Sequence, residues 1–287
     1  MESILNNKLG IIGSSLIAEE HILAFQENDF DVTCIASSNN SKTAHTLAKK
    51  YKSVKYFPSV PEMLQEGEYS SLAILSSVES LYSNLIKALD YADYIFIEKP
   101  VALQLDHVEK ILSDNKVMVG MVERFNPAIQ TLKSVINIDN IINIDFSRCC
   151  VSTQSSRVSI FEDIGIHDID LLFYLLNLES VSDYSVISVD QTTIFTSSEP
   201  LSRMIWSKDT FFKERKIIVR QKDCTYEVDL QEQSVVKHSE INKNHVSQSL
   251  FVEKASPVEN EQRAFFNHEV VDCKKSHELL FCLMEQI

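Results

Sequence analysis

Short apolar runs alternate with segments of helical period along the first 120 residues. Lys8–Ile12 reads as a buried strand, and Leu16–Glu27 follows with Ile17, His21, Ala24 and Phe25 at helical spacing. Asp31–Ala36 predicts a second strand, and the polar cluster Ser37–Ser41 can cap a helix over Lys42–Tyr51. Further strands are predicted at Val54–Phe57, Ser71–Ser76, Tyr94–Ile97 and Lys116–Gly120, with helices at Glu79–Tyr91 and Leu103–Ser113. Strands and helices alternating at this spacing predict βαβ units in a doubly wound parallel sheet.

The pattern changes after residue 121. A helix at Pro127–Ile136 leads into a strand at Ile141–Cys150, and Asp163–Leu176 reads as one strongly apolar helix. From Val181 to His238 strand candidates follow one another, with Cys224, Tyr226, Val228 and Leu230 alternating with polar residues. The tail, Val258–Ile287, reads as two helices. The predicted fold is α/β: an N-terminal Rossmann domain over 1–121 and a C-terminal α+β domain over 122–287 with a large, mostly antiparallel open sheet.

Composition narrows the function classes. The 287 residues are 44% hydrophobic and 24% charged, which excludes disordered and low-complexity classes. Twenty-seven basic against 41 acidic residues give a net charge of −14, so nucleic acid is not an expected partner. The six cysteines form no C-x-x-C pair and read as reduced thiols rather than a zinc or disulfide framework. Neither a signal peptide nor a membrane span is apparent, and a cytoplasmic protein is expected. There are only five glycines, so each marks a place where a side chain is hard to accommodate.

Four segments carry candidate chemistry. Gly13, Ser15 and Ala18 occupy the three small-residue places of a G-x-G-x-x-G/A dinucleotide loop, with serine replacing the middle glycine; a plain strand–turn–helix is the competing reading. Ser37, Ser38 and Asn39 stand where an acidic residue would grip the ribose of NAD, and Lys42 is near, which favours NADP over NAD; a polar helix cap is the competing reading. Lys99, between Glu98 and Pro100, follows the fifth strand at the sheet edge where ligands bind; a surface Glu–Lys pair is the alternative. Asp163 and His167 fall four apart on one helix face, as do His167 and Asp170 at three, suiting proton transfer near neutral pH. A helix cap beside a core histidine, or a two-ligand metal site, would explain the same residues.

In order along the chain, these segments resemble the glucose–fructose oxidoreductase/inositol dehydrogenase (Gfo/Idh/MocA) family. The resemblance runs through Lys8–His21, Glu98-Lys99-Pro100, Val119–Pro127, Asp163–Asp170 and Pro257–Phe266. It implies a nicotinamide cofactor, NADP or NAD, held by Gly13, Ser14, Ser15, Leu16, Ile17, Ser37, Ser38, Ser76, Glu98 and Lys99, with no metal. It implies Lys99, His167 and Asp163 as catalytic residues, and Arg124, Arg148, Arg157 and Asp168 as substrate contacts. The implied substrate is a sugar, polyol or nucleotide sugar lying between the cofactor and the second sheet, and the implied assembly a homo-oligomer through that sheet. Three departures stand out: Ser15 in the loop, and Ser77 and Leu81 where the family carries proline and histidine. They keep a competing function open, a non-catalytic cofactor or sugar sensor; a reductase of a non-sugar ligand stays open too, because fold and cofactor do not fix the substrate.

Overall fold

The computed structural model describes residues 7–38, 41–102, 104–151 and 159–286. The chain packs as two compact units: residues 1–122 with 258–274, and residues 123–257 with 275–287.

The first unit is built on six parallel strands: β1 (Lys8–Ile12), β2 (Asp31–Ala36), β3 (Lys55–Phe57), β4 (Ser71–Ile74), β5 (Tyr94–Glu98) and β6 (Val117–Gly120). Their order is β3-β2-β1-β4-β5-β6, the doubly wound arrangement whose strand order reverses between β1 and β4. All four residues of β4 and of β6 are buried, as expected of strands covered by helices on both faces. The helices are α1 (Ala18–Glu27), α2 (Lys42–Lys50), α3 (Val60–Glu66), α4 (Val78–Ala88) and α5 (Leu105–Leu112). Ser41 caps α2 by accepting from the Ala44 amide, so the polar cluster after β2 does start a helix.

The second unit opens on α6 (Pro127–Val135), whose cap Asn126 accepts from the Ala128 amide. The strand β7 (Ile141–Val151) follows. The apolar segment predicted as one helix from Asp163 divides instead into a π-helical turn, Phe161–Gly165, and α7 (Ile166–Leu176). Then come β8 (Ser182–Val189), β9 (Thr192–Glu199), β10 (Leu201–Thr210), β11 (Glu214–Gln221), β12 (Cys224–Asp229), β13 (Ser234–Ile241) and β14 (Asn244–Leu250). These strands and β7 form one eight-stranded sheet, β14-β13-β12-β11-β7-β10-β9-β8, antiparallel except where β7 pairs with β10. Cys224, Tyr226 and Val228 of β12 point inward while Thr225, Glu227 and Asp229 point out, the predicted alternation.

Two helices close the chain, α8 (Pro257–Phe266) and α9 (Lys274–Met284). Most of α8 returns to the first unit, where Phe265 packs against Phe25, Phe30 and Phe96 at ring separations of 5.6–6.2 Å. Among the described residues, no helix is long and apolar enough to cross a membrane.

Candidate active site

The β1–α1 turn is fixed by Gly13. Its φ is +105°, and a Cβ built there would lie 2.5 Å from the Ser76 amide nitrogen and 2.6 Å from the Leu75 carbonyl oxygen. Only glycine accepts both the angle and the approach. Gly13 donates to the Ala36 carbonyl at 2.8 Å and Ser15 to the Leu75 carbonyl at 3.3 Å, which ties together the loops after β1, β2 and β4.

A cleft of about 570 Å³ opens at this switch point. Gly13, Ser14, Ser15, Ser37, Ser38 and Ser76 line it, joined by Ser59, Asn84 and Lys87. No carboxylate stands among the described lining residues, although the chain carries 41 acidic residues. Ser14 Oγ lies 3.0 Å from Ser37 Oγ and 2.7 Å from Ser41 Oγ, so three hydroxyls converge at the end of β2. Leu16 is fully exposed and Ile17 partly so on the same turn. Ser15 Oγ is buried and makes no hydrogen bond within the protein. An orphaned hydroxyl beside a glycine-only turn, in a cleft without acids, fits a dinucleotide pyrophosphate. Of the departures, Ser77 occupies the N-cap place of α4, and Leu81 is 1% exposed, a core residue.

Lys99 follows β5, which pairs with β4 and places it at the same carboxyl edge of the sheet. Lys99 is half-buried, its peptide to Pro100 is cis, and its amide donates to Glu98 Oε2 at 3.1 Å. The Glu98 carboxylate turns inward: His21 Nε2 lies 3.0 Å from Oε1. His21 Nδ1 in turn lies 3.0 Å from Gln262 Nε2 of α8. His21 had only the mark of an apolar helix position; its pairing comes from α8, 241 residues away. His21, Glu98 and Glu261 bring donor atoms within 4.8 Å of one another. Both imidazole nitrogens also lie at hydrogen-bond distance from protein partners.

In the second unit, Asp163 lies in the π turn and pairs with Lys208 Nζ at 2.6 Å. A π turn widens the helical step, so the four-residue spacing to His167 no longer describes a plain α-helical face. His167 is half-buried near the start of α7. Of the residues expected to meet substrate, Arg124, Arg148 and Asp168 pair with protein groups. Arg148 is 3% exposed and donates to Asp168 Oδ1 at 2.7 and 2.9 Å and to Glu123 Oε1 at 2.8 Å. Asp168, 2% exposed, also accepts from Trp206 Nε1 at 3.0 Å. Arg124 makes a two-pronged pair with Asp170, both contacts at 2.7 Å, and Ser276 donates to the same carboxylate. Arg157 lies outside the described residues. Burial opposes the Glu123 carboxylate, but Arg148 and Arg215 outweigh it and hold its pKa below the usual range. Burial dominates at Asp168 and pushes it upward against the pull of Arg148. Glu123, Lys208 and Trp206 escaped the sequence reading because their partners lie 25 or more residues away along the chain.

Residues 7–121 match the model of the oxidoreductase family with an NAD-binding Rossmann fold, Gfo/Idh/MocA. That match lies within the first unit. Among curated relatives, an inositol 2-dehydrogenase/D-chiro-inositol 3-dehydrogenase from Lacticaseibacillus casei is 23% identical over 188 residues, 61% of this chain and 54% of that protein. One from Shouchella clausii is 26% identical over 188 residues, covering 60% and 54%. The match thus spans about half the length of these relatives. Among solved structures, UDP-N-acetylglucosamine 3-dehydrogenase GnnA from Acidithiobacillus ferrooxidans superposes with a TM-score of 0.85 at 17% identity, over 98% of this chain and 96% of that one. The super-repressor mutant of Gal80p from Saccharomyces cerevisiae gives 0.79 at 15% identity, over 98% and 95%. At these identities the likeness concerns the fold.

Proposed function

We propose that the chain is an NAD(P)-dependent oxidoreductase acting on a hydroxyl-bearing carbon of a sugar, polyol or nucleotide sugar. The observation that carries this reading is the acid-free, serine-lined cleft at the β1/β4 switch point, with Lys99 at the same sheet edge. When bound, the nicotinamide supplies the hydride acceptor or donor. Gly13, Ser14 and Ser15 hold the pyrophosphate, and the hydroxyls of Ser37, Ser38 and Ser41 receive the adenosine ribose. Hydroxyls without a carboxylate accept a 2′-phosphate, so NADP is the favoured form.

Lys99 accepts the proton of the substrate hydroxyl as that carbon is oxidised, and returns it in reduction. His167 is the second acid/base group. Asp163, paired with Lys208, is the acidic member of that set. The relatives acting on inositol and the fold likeness to a UDP-N-acetylglucosamine dehydrogenase support polyols and nucleotide sugars as substrate classes. Exposed Ile187, Val189, Ile194 and Ile241 on the eight-stranded sheet support pairing of two copies through it. The test follows reduced-nicotinamide absorbance with inositols, free sugars and UDP-N-acetylglucosamine. We expect turnover on at least one class, abolished by Lys99→Ala while cofactor binding survives. Undiminished turnover in Lys99→Ala removes the proton-acceptor role.

A non-catalytic sensor on the same fold is the second reading, favoured by core Leu81 where the family carries histidine. Cofactor binding without turnover across all three substrate classes would select it.

A further inference from the structure

We propose that His21 is a positioning residue for the Glu98–Lys99 turn: fixed by Gln262, its ring draws the Glu98 carboxylate inward onto the backbone of Lys99, not its ammonium. The inference rests on the reading of Lys99 as proton acceptor. His21, Glu98 and Gln262 are 3%, 9% and 0% exposed, so their contacts form where water cannot compete. Glu98 Oε1 faces His21 and Oε2 accepts the Lys99 amide, which assigns both oxygens. The Gln262 Nε2 contact at Nδ1 matches the tautomer that presents Nε2–H to Glu98.

A second observation points the same way. Gly120 is the register partner of Glu98 across β5 and β6, and a Cβ there would lie 3.0 Å from Glu98 Oε1. The missing side chain leaves room for a carboxylate folded inward. An acid next in sequence to a lysine can serve as its counter-ion, and such a pair favours the protonated amine. Clamping the acid on the backbone keeps it from that role. The charged groups facing His21 are Glu98 from β5 and Glu261 from α8; Phe25 of α1 and Phe96 of β5 are its aromatic neighbours.

The experiment uses the full chain without substrate. Lys99 is labelled with acetic anhydride across a pH series and quantified by peptide mass spectrometry, in wild type, His21→Leu and His21→Gln. In His21→Leu the released carboxylate should move the half-reactivity pH of Lys99 upward by about one unit or more. His21→Gln, whose amide still donates to Glu98, should stay close to wild type. The pH profile of kcat/KM should move the same way, with kcat falling and the cofactor Kd unchanged. Coincident Lys99 labelling curves in folded His21→Leu and wild type overturn the proposal. If His21→Leu does not fold, Gln262→Leu decides: it releases the ring while keeping the imidazole, and an unmoved curve there overturns the proposal equally. The labelling needs no turnover, so a wild type inactive on all substrates would count against the proposed function alone.

Discussion

Trp206 donates its indole N–H to Asp168 Oδ2 at 3.0 Å, inside the second unit. Asp168 is the residue after His167, so this bond and the Arg148 pair hold the first turn of α7 against β10 and β7. Trp206→Phe keeps an aromatic ring, though a smaller one, and leaves a buried carboxylate short of a donor. It should lose about 1–3 kcal/mol of stability, read as a lower urea midpoint by circular dichroism. An unchanged midpoint contradicts the assignment.

Acid sensitivity should trace to Glu123. Its carboxylate is held below the usual range, so the folded state binds fewer protons than the unfolded one. Its contribution is present above the ordinary glutamate range and is lost as pH falls through that range toward the lowered value. Asp168, shifted upward, acts with the opposite sign, and its burden is relieved on acidification. Glu123→Gln should therefore destabilise at neutral pH and flatten the loss of stability below the glutamate range. Melting curves over a pH series check both, and a parallel displacement at every pH would refute the assignment to Glu123.

Ser15 departs from the family loop, and its hydroxyl has no partner within the protein. If it serves the pyrophosphate, Ser15→Ala should weaken dinucleotide binding roughly two- to tenfold, the worth of one hydrogen bond, while the melting temperature of the free protein stays put. Unchanged affinity would mean that the hydroxyl serves no ligand.

Ser37 stands at the end of β2, within 3.0 Å of Ser14 Oγ. A carboxylate there should repel a 2′-phosphate and grip a ribose hydroxyl. Ser37→Asp should weaken NADPH binding much more than NADH binding, measured by competitive titration. Equal losses would place the adenosine ribose elsewhere.

The first unit was largely legible. β1 and β2 fall on the predicted residues because each is an apolar run closed by a polar turn. α3 went unread although its start carries a capping box: Ser59 Oγ bonds Glu62, and Pro61 sits in the first turn. Only seven residues long, it shows too little periodicity to stand out. The division of the Asp163–Leu176 segment is invisible to helical period, because a π turn inserts its extra residue without interrupting the apolar run. The basic candidates came from the family resemblance and from their charge. Charge cannot tell an arginine facing ligand from Arg148, which neutralises two buried carboxylates contributed from residues 123 and 168.

The most direct test of the central claim is a fluorescence titration of the full chain with NADPH and with NADH. A dinucleotide-binding oxidoreductase with this serine-lined cleft should bind at saturable, one-site stoichiometry, NADPH more tightly. Failure of both nucleotides to bind would contradict the account.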